Sequence, residues 1–130
     1  MKLENIKFKA KRLDNNTWVE GYFYVECGNT YIIEDRQRES MLNRNEAHQV
    51  DPSTACQFTG LKDCEGNEIW EEDIIKDPYL GKERTIEWNN HLCSFTALDD
   101  TNGSDKPLGA LVGSLGWYVV GNKFDKENSI

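Results

Sequence analysis

The sequence predicts a mainly β fold with little helix: an N-terminal antiparallel meander, packed on or continuous with a C-terminal small SH3-like barrel. Three observations predict it. Thr17 to Val25 (TWVEGYFYV) is β-branched and aromatic almost throughout, a composition that suits a pleated, half-buried surface. Further short apolar runs follow, punctuated by Gly, Asn, Asp and Pro turn residues. After Asp73 the chain offers three or four strands joined by short turns, and closing so small a sheet into a barrel removes its exposed edges.

Element by element, Ile6, Phe8 and Ala10 alternate with lysines, a period-two strand with one wet face. Asp14-Asn15-Asn16 is a turn, and Thr17 to Val25 is the next strand. Gly21 inside it marks a bulge or bend. Gly28-Asn29 turns the chain, and Thr30 to Ile33 returns as a hairpin partner. Glu34 to Ala47 is charged, with Met41 and Leu42 as its only apolar anchors, so it reads as a surface loop. His48 to Val50 is extended, and Pro52 holds Asp51 extended before a helical turn at Ser53 to Cys56. Past Ile75, Asp77 to Gly81 is a loop, Glu83 to Trp88 a strand, Asn89-Asn90 a turn and Leu92 to Leu98 another strand. Asp99 to Leu108 is a polar loop. Gly109 to Gly116 is small and apolar without a definite period. Trp117 to Gly121 is the last strand, and the tail from Asn122 is polar, with Phe124 as its one anchor.

The densest run of turn chemistry and apolar anchors is Gln57 to Ile75 (QFTGLKDCEGNEIWEEDII). Gly60 permits a positive φ or a close backbone approach. Asp63 to Asn67 is a turn in which Asp63 bonds its own backbone two residues on. The run delivers Trp70 to a core and starts a strand at Asp73. Gln57, Thr59, Gly60, Asp63, Gly66, Trp70, Glu71 and Asp73 are its signature positions, with structural or binding roles. This pattern, QFTGLxDxxGxxI followed by Asp73-Ile74-Ile75, resembles the signature of the YopX family of small phage and prophage proteins. The likeness extends to Phe8–Gly21, to Val50-Asp51-Pro52 and to Val119–Asn122. One position departs: the family usually has Gly before the Asp, where this chain has Glu72. The resemblance implies a fold of the same kind and carries over no catalytic residues.

At 130 residues the chain reads as one domain, divisible into a meander over 1–56 and a barrel over 57–130. Such a chain buries roughly two-thirds of its unfolded surface, and 38% apolar content suits a folded protein. The net charge of −8 opposes non-specific nucleic-acid binding, whose affinity comes from basic side chains meeting phosphates. The four cysteines form no CxxC pair, so no structural zinc site is indicated. With no signal peptide and no apolar run long enough to span a membrane, a bacterial cytoplasm is the expected setting.

No metal, cofactor or catalytic group is expected. Glu71, Glu72 and Asp73, read as consecutive strand residues, would point to opposite faces and not converge on an ion. Asp63, Glu65 and Asn67 have the opening spacing of a calcium loop, but Glu68 replaces its glycine and Ile74 its last ligand. His91 and Cys93 share a strand face, yet Cys93 sits in an apolar run and reads as a buried, inert thiol. The function expected is a non-enzymatic interaction module binding a host or phage protein, or assembling as a homo-oligomer. Two alternatives stand beside it. One is a nucleic-acid-binding small barrel using Lys7, Lys9, Lys11 and Arg12, or Arg36, Arg38 and Arg44. The other is an enzyme using Gln57, Glu71 and Asp73 beside Trp70.

Overall fold

The computed structural model describes residues 5–34, 46–91, 93–98 and 105–128. The chain divides into two compact units, Met1–Gln57 and Phe58–Ile130. Both are built of antiparallel strands with little helix.

The first unit holds β1 (Phe8–Lys11), β2 (Trp18–Glu26), β3 (Asn29–Glu34), β4 (Glu46–Val50) and the start of β5 (Cys56–Lys62). Its strands lie in the order β4-β3-β2-β1-β5, so the expected meander gains a fourth strand from the His48–Val50 piece. The β1–β2 turn is fixed by Asn15, whose Oδ1 accepts from the Thr17 hydroxyl at 2.6 Å and from its N–H at 3.1 Å. The β2–β3 turn falls one residue earlier than expected. Cys27 and Gly28 both take positive φ, 52° and 78°, as a two-residue loop between right-twisted strands requires, and Asn29 already belongs to β3. Gly21 admits no side chain, because a Cβ there would meet the Ile33 carbonyl oxygen at 2.0 Å. One corner of the sheet is tied by the bridge of Arg12 to Val50. There the Leu13 N–H donates to Gln49 O and the Asp51 N–H to Lys11 O. Ala10, Val19, Ile32 and Val50 form the core, with Phe8 against it. Pro52–Thr54 is a 3-10 turn capped by Asp51, close to the predicted helical turn. Residues 35–45 of the expected surface loop, Arg36, Arg38 and Arg44 among them, lie outside the described residues.

In the second unit β5 continues and pairs with β6 (Glu68–Trp70). A separate five-stranded sheet is made of β7 (Asp73–Lys76), β8 (Glu83–Asn89), β9 (Ser94–Leu98), β10 (Asp105–Pro107) and β11 (Tyr118–Asn122), in the order β10-β9-β8-β7-β11. It is open: no pairing among the described residues joins β10 to β11, so the closed barrel expected here is not what the pairing gives. The glycine-rich segment Gly109 to Gly116 forms α1 (Leu108–Ser114). Leu108, Leu111 and Val112, spaced i, i+3 and i+4, bury one face of it. They join Ile69, Ile75, Ile86, Ala97 and Trp117 in the core. The polar tail winds into α2 (Lys123–Asn128), where the Phe124 N–H donates to Asn122 Oδ1 at 2.9 Å and satisfies one end of the helix. Most of the predicted loop over Asp99 to Leu108 lies outside the described residues; its end supplies β10 and the first residue of α1.

Aromatic pairs mark the registers. Tyr24 stacks on its partner Tyr31 at 5.1 Å, Phe58 meets Trp70 at 5.3 Å, and Trp88 meets Phe95 edge-on at 5.1 Å. Each is a directly opposed cross-strand pair, the contact that stabilises a hairpin. One cysteine reading is corrected. Cys93 is exposed and lies in a turn at φ 50°, with its thiol donating to Asn90 O at 3.4 Å; β9 begins only at Ser94. His91 and Cys93 therefore share no strand face.

Candidate functional site

The signature residues act mainly inward. In β5 Gly60 takes φ +86° at a shift of register opposite β6, the positive φ that its sequence context predicted. Thr59 holds that irregularity from both sides: its hydroxyl donates to Ile69 O at 2.6 Å and accepts the Leu61 N–H at 3.2 Å. Asp63 organises the turn that follows. Its Oδ1 accepts the Glu65 N–H at 3.0 Å and the Asn67 N–H at 2.8 Å. Its Oδ2 accepts Asn67 Nδ2 at 3.2 Å and, from β11, the Val119 N–H at 3.0 Å. Gly66 completes the turn at φ +85°. Burial acts to raise the Asp63 pKa. The hydrogen bonds from Val119, Asn67 and Glu65 outweigh it and hold the carboxyl below its ordinary 3.8.

Trp70, 5% exposed, is buried as expected. Glu71 and Glu72 are a turn and not strand residues, so strand alternation does not set the direction of their carboxylates. Glu72 takes φ +67°, in the left-handed region that a glycine enters freely and a side chain does not. The departure from the family pattern thus falls at a position whose backbone asks for glycine. Glu72→Gly is expected to stabilise the protein by about 1 kcal/mol, a rise in Tm of about 3–5 °C, while Glu72→Ala keeps the strain and gains nothing comparable. Paired thermal melts check this. Asp73, 3% exposed, accepts the Trp70 N–H at 2.8 Å and Asn122 Nδ2 at 2.9 Å. The same amide reaches Glu71 O at 3.5 Å. Gln57 is exposed on β5, as the last residue of the first unit.

The turn also fixes a stretch of chain that reaches solvent. Cys64 Sγ–H donates to Gly116 O at 3.8 Å and Asp63 holds the Val119 N–H, so the two residues bracket Trp117 and Tyr118. Gly116 at φ +73° lets the Trp117 N–H turn back onto Leu111 O at 3.3 Å. Trp117 and Leu115 are thereby set on one wall of a groove of about 300 Å³. The facing wall is the β7–β8 loop. Asp77 shapes that loop by accepting the Tyr79 N–H at its Oδ1, 2.8 Å away, and by closing Asp77 N–H onto Lys82 O. The loop presents Tyr79 at 87% and Leu80 at 76% exposure, against Leu115 at 52%. The floor holds a cation: Arg84 is buried with its guanidinium 5.4 Å from the centre of the Trp117 ring. Lys82 lines the same groove.

Sequence reasoning read Asp77 to Gly81 as a loop and missed that it displays two large apolar residues. The signal available was Tyr79-Leu80 itself, an apolar pair inside a turn cluster with no core period to absorb it. The basic candidates at the N-terminus are engaged within the protein. Lys7 pairs with Glu20 at 3.2 Å, and Arg12 grips Asp14 through two bonds of 3.0 and 2.6 Å. Lys9 and Lys11 lie 4.6 and 5.2 Å from the Trp18 ring centre. No helix among the described residues is long and apolar enough to cross a membrane. Among known families, the model of the YopX protein family matches residues 7–129. No curated protein matches the chain.

Proposed function

The chain belongs to the YopX family, and from that premise we propose that it is a phage-type, non-enzymatic protein-interaction module of the bacterial cytoplasm. The groove between the β7–β8 loop and the end of α1 is its docking site. The observation that carries this reading is the grouping of exposed Tyr79, Leu80 and Leu115 with buried Trp117 and Arg84 around one groove. Tyr, Trp and Arg are the residues enriched in binding hot spots, and Tyr79, Trp117 and Arg84 all line this groove. The occupant proposed is an extended peptide segment of a partner protein that carries an apolar side chain next to a carboxylate. Lys82 supplies complementary charge, and Asp77, the one acid among the described lining residues, already has Oδ1 engaged by its own loop. The internal pairing of Lys7 and Arg12 speaks against the nucleic-acid alternative. The strand order of the second sheet supports an SH3-like architecture for its unit: four strands run as a meander, and the fifth returns through α1 beside the first.

The test is capture from nuclease-treated bacterial lysate by the tagged wild-type chain and by Tyr79→Ala/Leu115→Ala. Both positions are exposed, so the variant keeps the fold. The expected result is a host protein bound by the wild type and lost from the variant, followed by binding of the purified partner and of an apolar-acidic peptide from it, weakened at least tenfold by the substitutions. Equal capture by both chains, or capture seen only from lysate without nuclease, overturns the reading.

A further inference from the structure

A second site lies in the first unit and owes nothing to the groove. Strands β3 and β4 pair with Glu34 opposite Glu46 and Ile32 opposite His48. The period of two then places Glu34, Glu46 and His48 on one face. His48 Nε2 stands 3.1 Å from Glu34 Oε2 and 3.7 Å from Glu46 Oε2. One donor atom from each residue lies within 4.8 Å of the others.

The 3.1 Å between His48 and Glu34 is a coordination-shell separation, and the 3.7 Å to Glu46 lies just beyond it. Nitrogen and oxygen ligands bound to a first-row divalent ion at roughly 2.0–2.2 Å stand about 3.0–3.5 Å apart, the edges of an octahedron or tetrahedron of that radius. Completing the set brings the Glu46 carboxylate, which is 57% exposed, in from 3.7 Å to that range. Charge points the same way. Two carboxylates set directly opposite across a ladder repel one another, and a divalent cation reverses the sign of that interaction. One imidazole with two carboxylates suits Zn²⁺, Mn²⁺ or Fe²⁺ better than the all-oxygen shell that Ca²⁺ and Mg²⁺ prefer.

We propose that Glu34, Glu46 and His48 bind a divalent transition-metal ion, with water completing its shell. The ion pins the β4 edge onto β3 at the rungs nearest the β3–β4 connection.

The test uses the full chain, stripped with chelator and titrated with Co²⁺ alone, then with Zn²⁺ as competitor. Co²⁺ is chosen because the chain has four cysteines, and a thiolate ligand announces itself by a near-ultraviolet charge-transfer band. The expected result is uptake of one ion per chain with visible d–d bands and no thiolate band, and displacement by Zn²⁺. Affinity falls at least tenfold in both His48→Gln and Glu46→Gln. Because Glu46 is solvent-exposed, its variant reads out binding even if His48→Gln fails to fold. No saturable uptake, a thiolate band, or uptake unchanged by Glu46→Gln overturns the proposal and leaves the cluster as an ion pair.

Discussion

Asp63→Ala is expected to cost about 3–4 kcal/mol of stability. The side chain accepts four hydrogen bonds, from Glu65, from the backbone and side chain of Asn67, and from Val119. Asp63 is itself 6% exposed. A net bond to a charged acceptor is worth about 1.5–3 kcal/mol, and each donor left buried without one adds its own penalty of about 1–3 kcal/mol. Exposed donors of the turn regain water, which keeps the total below the sum. Urea unfolding checks the figure, read as a shift of midpoint at constant slope. The loss has a pH signature whose sign is fixed. The folded carboxyl titrates below its unfolded value of 3.8, so the stability it contributes is fully present above 3.8 and drains away as pH falls through the lower folded value. The gap between wild type and Asp63→Asn is therefore expected to be wide at neutral pH and to narrow below about pH 4. A gap that stays constant to pH 2 contradicts the assignment.

Asp73→Ala is the second large effect, at about 3 kcal/mol. It strips the Trp70 N–H and Asn122 Nδ2 of a shared acceptor, and Trp70, Asp73 and Asn122 are all nearly inaccessible to water. Asn122→Ala is costly in its own right, since Oδ1 of Asn122 also holds the start of α2. The two losses are coupled through one bond, so the double variant is expected to fall short of their sum by about 1–2 kcal/mol. Four denaturation curves settle it, and strict additivity would show that the carboxylate and the amide act independently.

The signature turn was legible in the sequence because its chemistry is local. Asp63 bonds residues two and four positions on, Gly60 and Gly66 take the positive φ only they accept freely, and Trp70 goes inward. What was not legible is where the turn reaches. The Val119 N–H is 56 residues from Asp63, and no periodicity reports such a distance. Helix α1 escaped for a different reason. Gly109 and Gly113 each weaken a helix by about 1 kcal/mol relative to alanine, which hid the stripe of Leu108, Leu111 and Val112 that packing rewards. Cys93 was misjudged because the strand that its apolar neighbours suggested begins one residue later, at Ser94. Glu34 and His48 are brought together by the β3–β4 register, which a charged intervening segment left undefined.

The pairing of β7 with β11 has a consequence for synthesis. Strand β7 takes its two neighbours at different times: β8 emerges soon after it, whereas β11 follows only after β8, β9, β10 and α1. Until Asn122 leaves the ribosome, the Ile74-Ile75 edge stands open and the carboxylates of Asp63 and Asp73 lack their distant donors, 56 and 49 residues away. An open β-branched edge is a template for mispairing. Long loops must also close before such contacts repay the entropy lost. The second sheet is therefore complete only once β11 has been made and has closed onto β7.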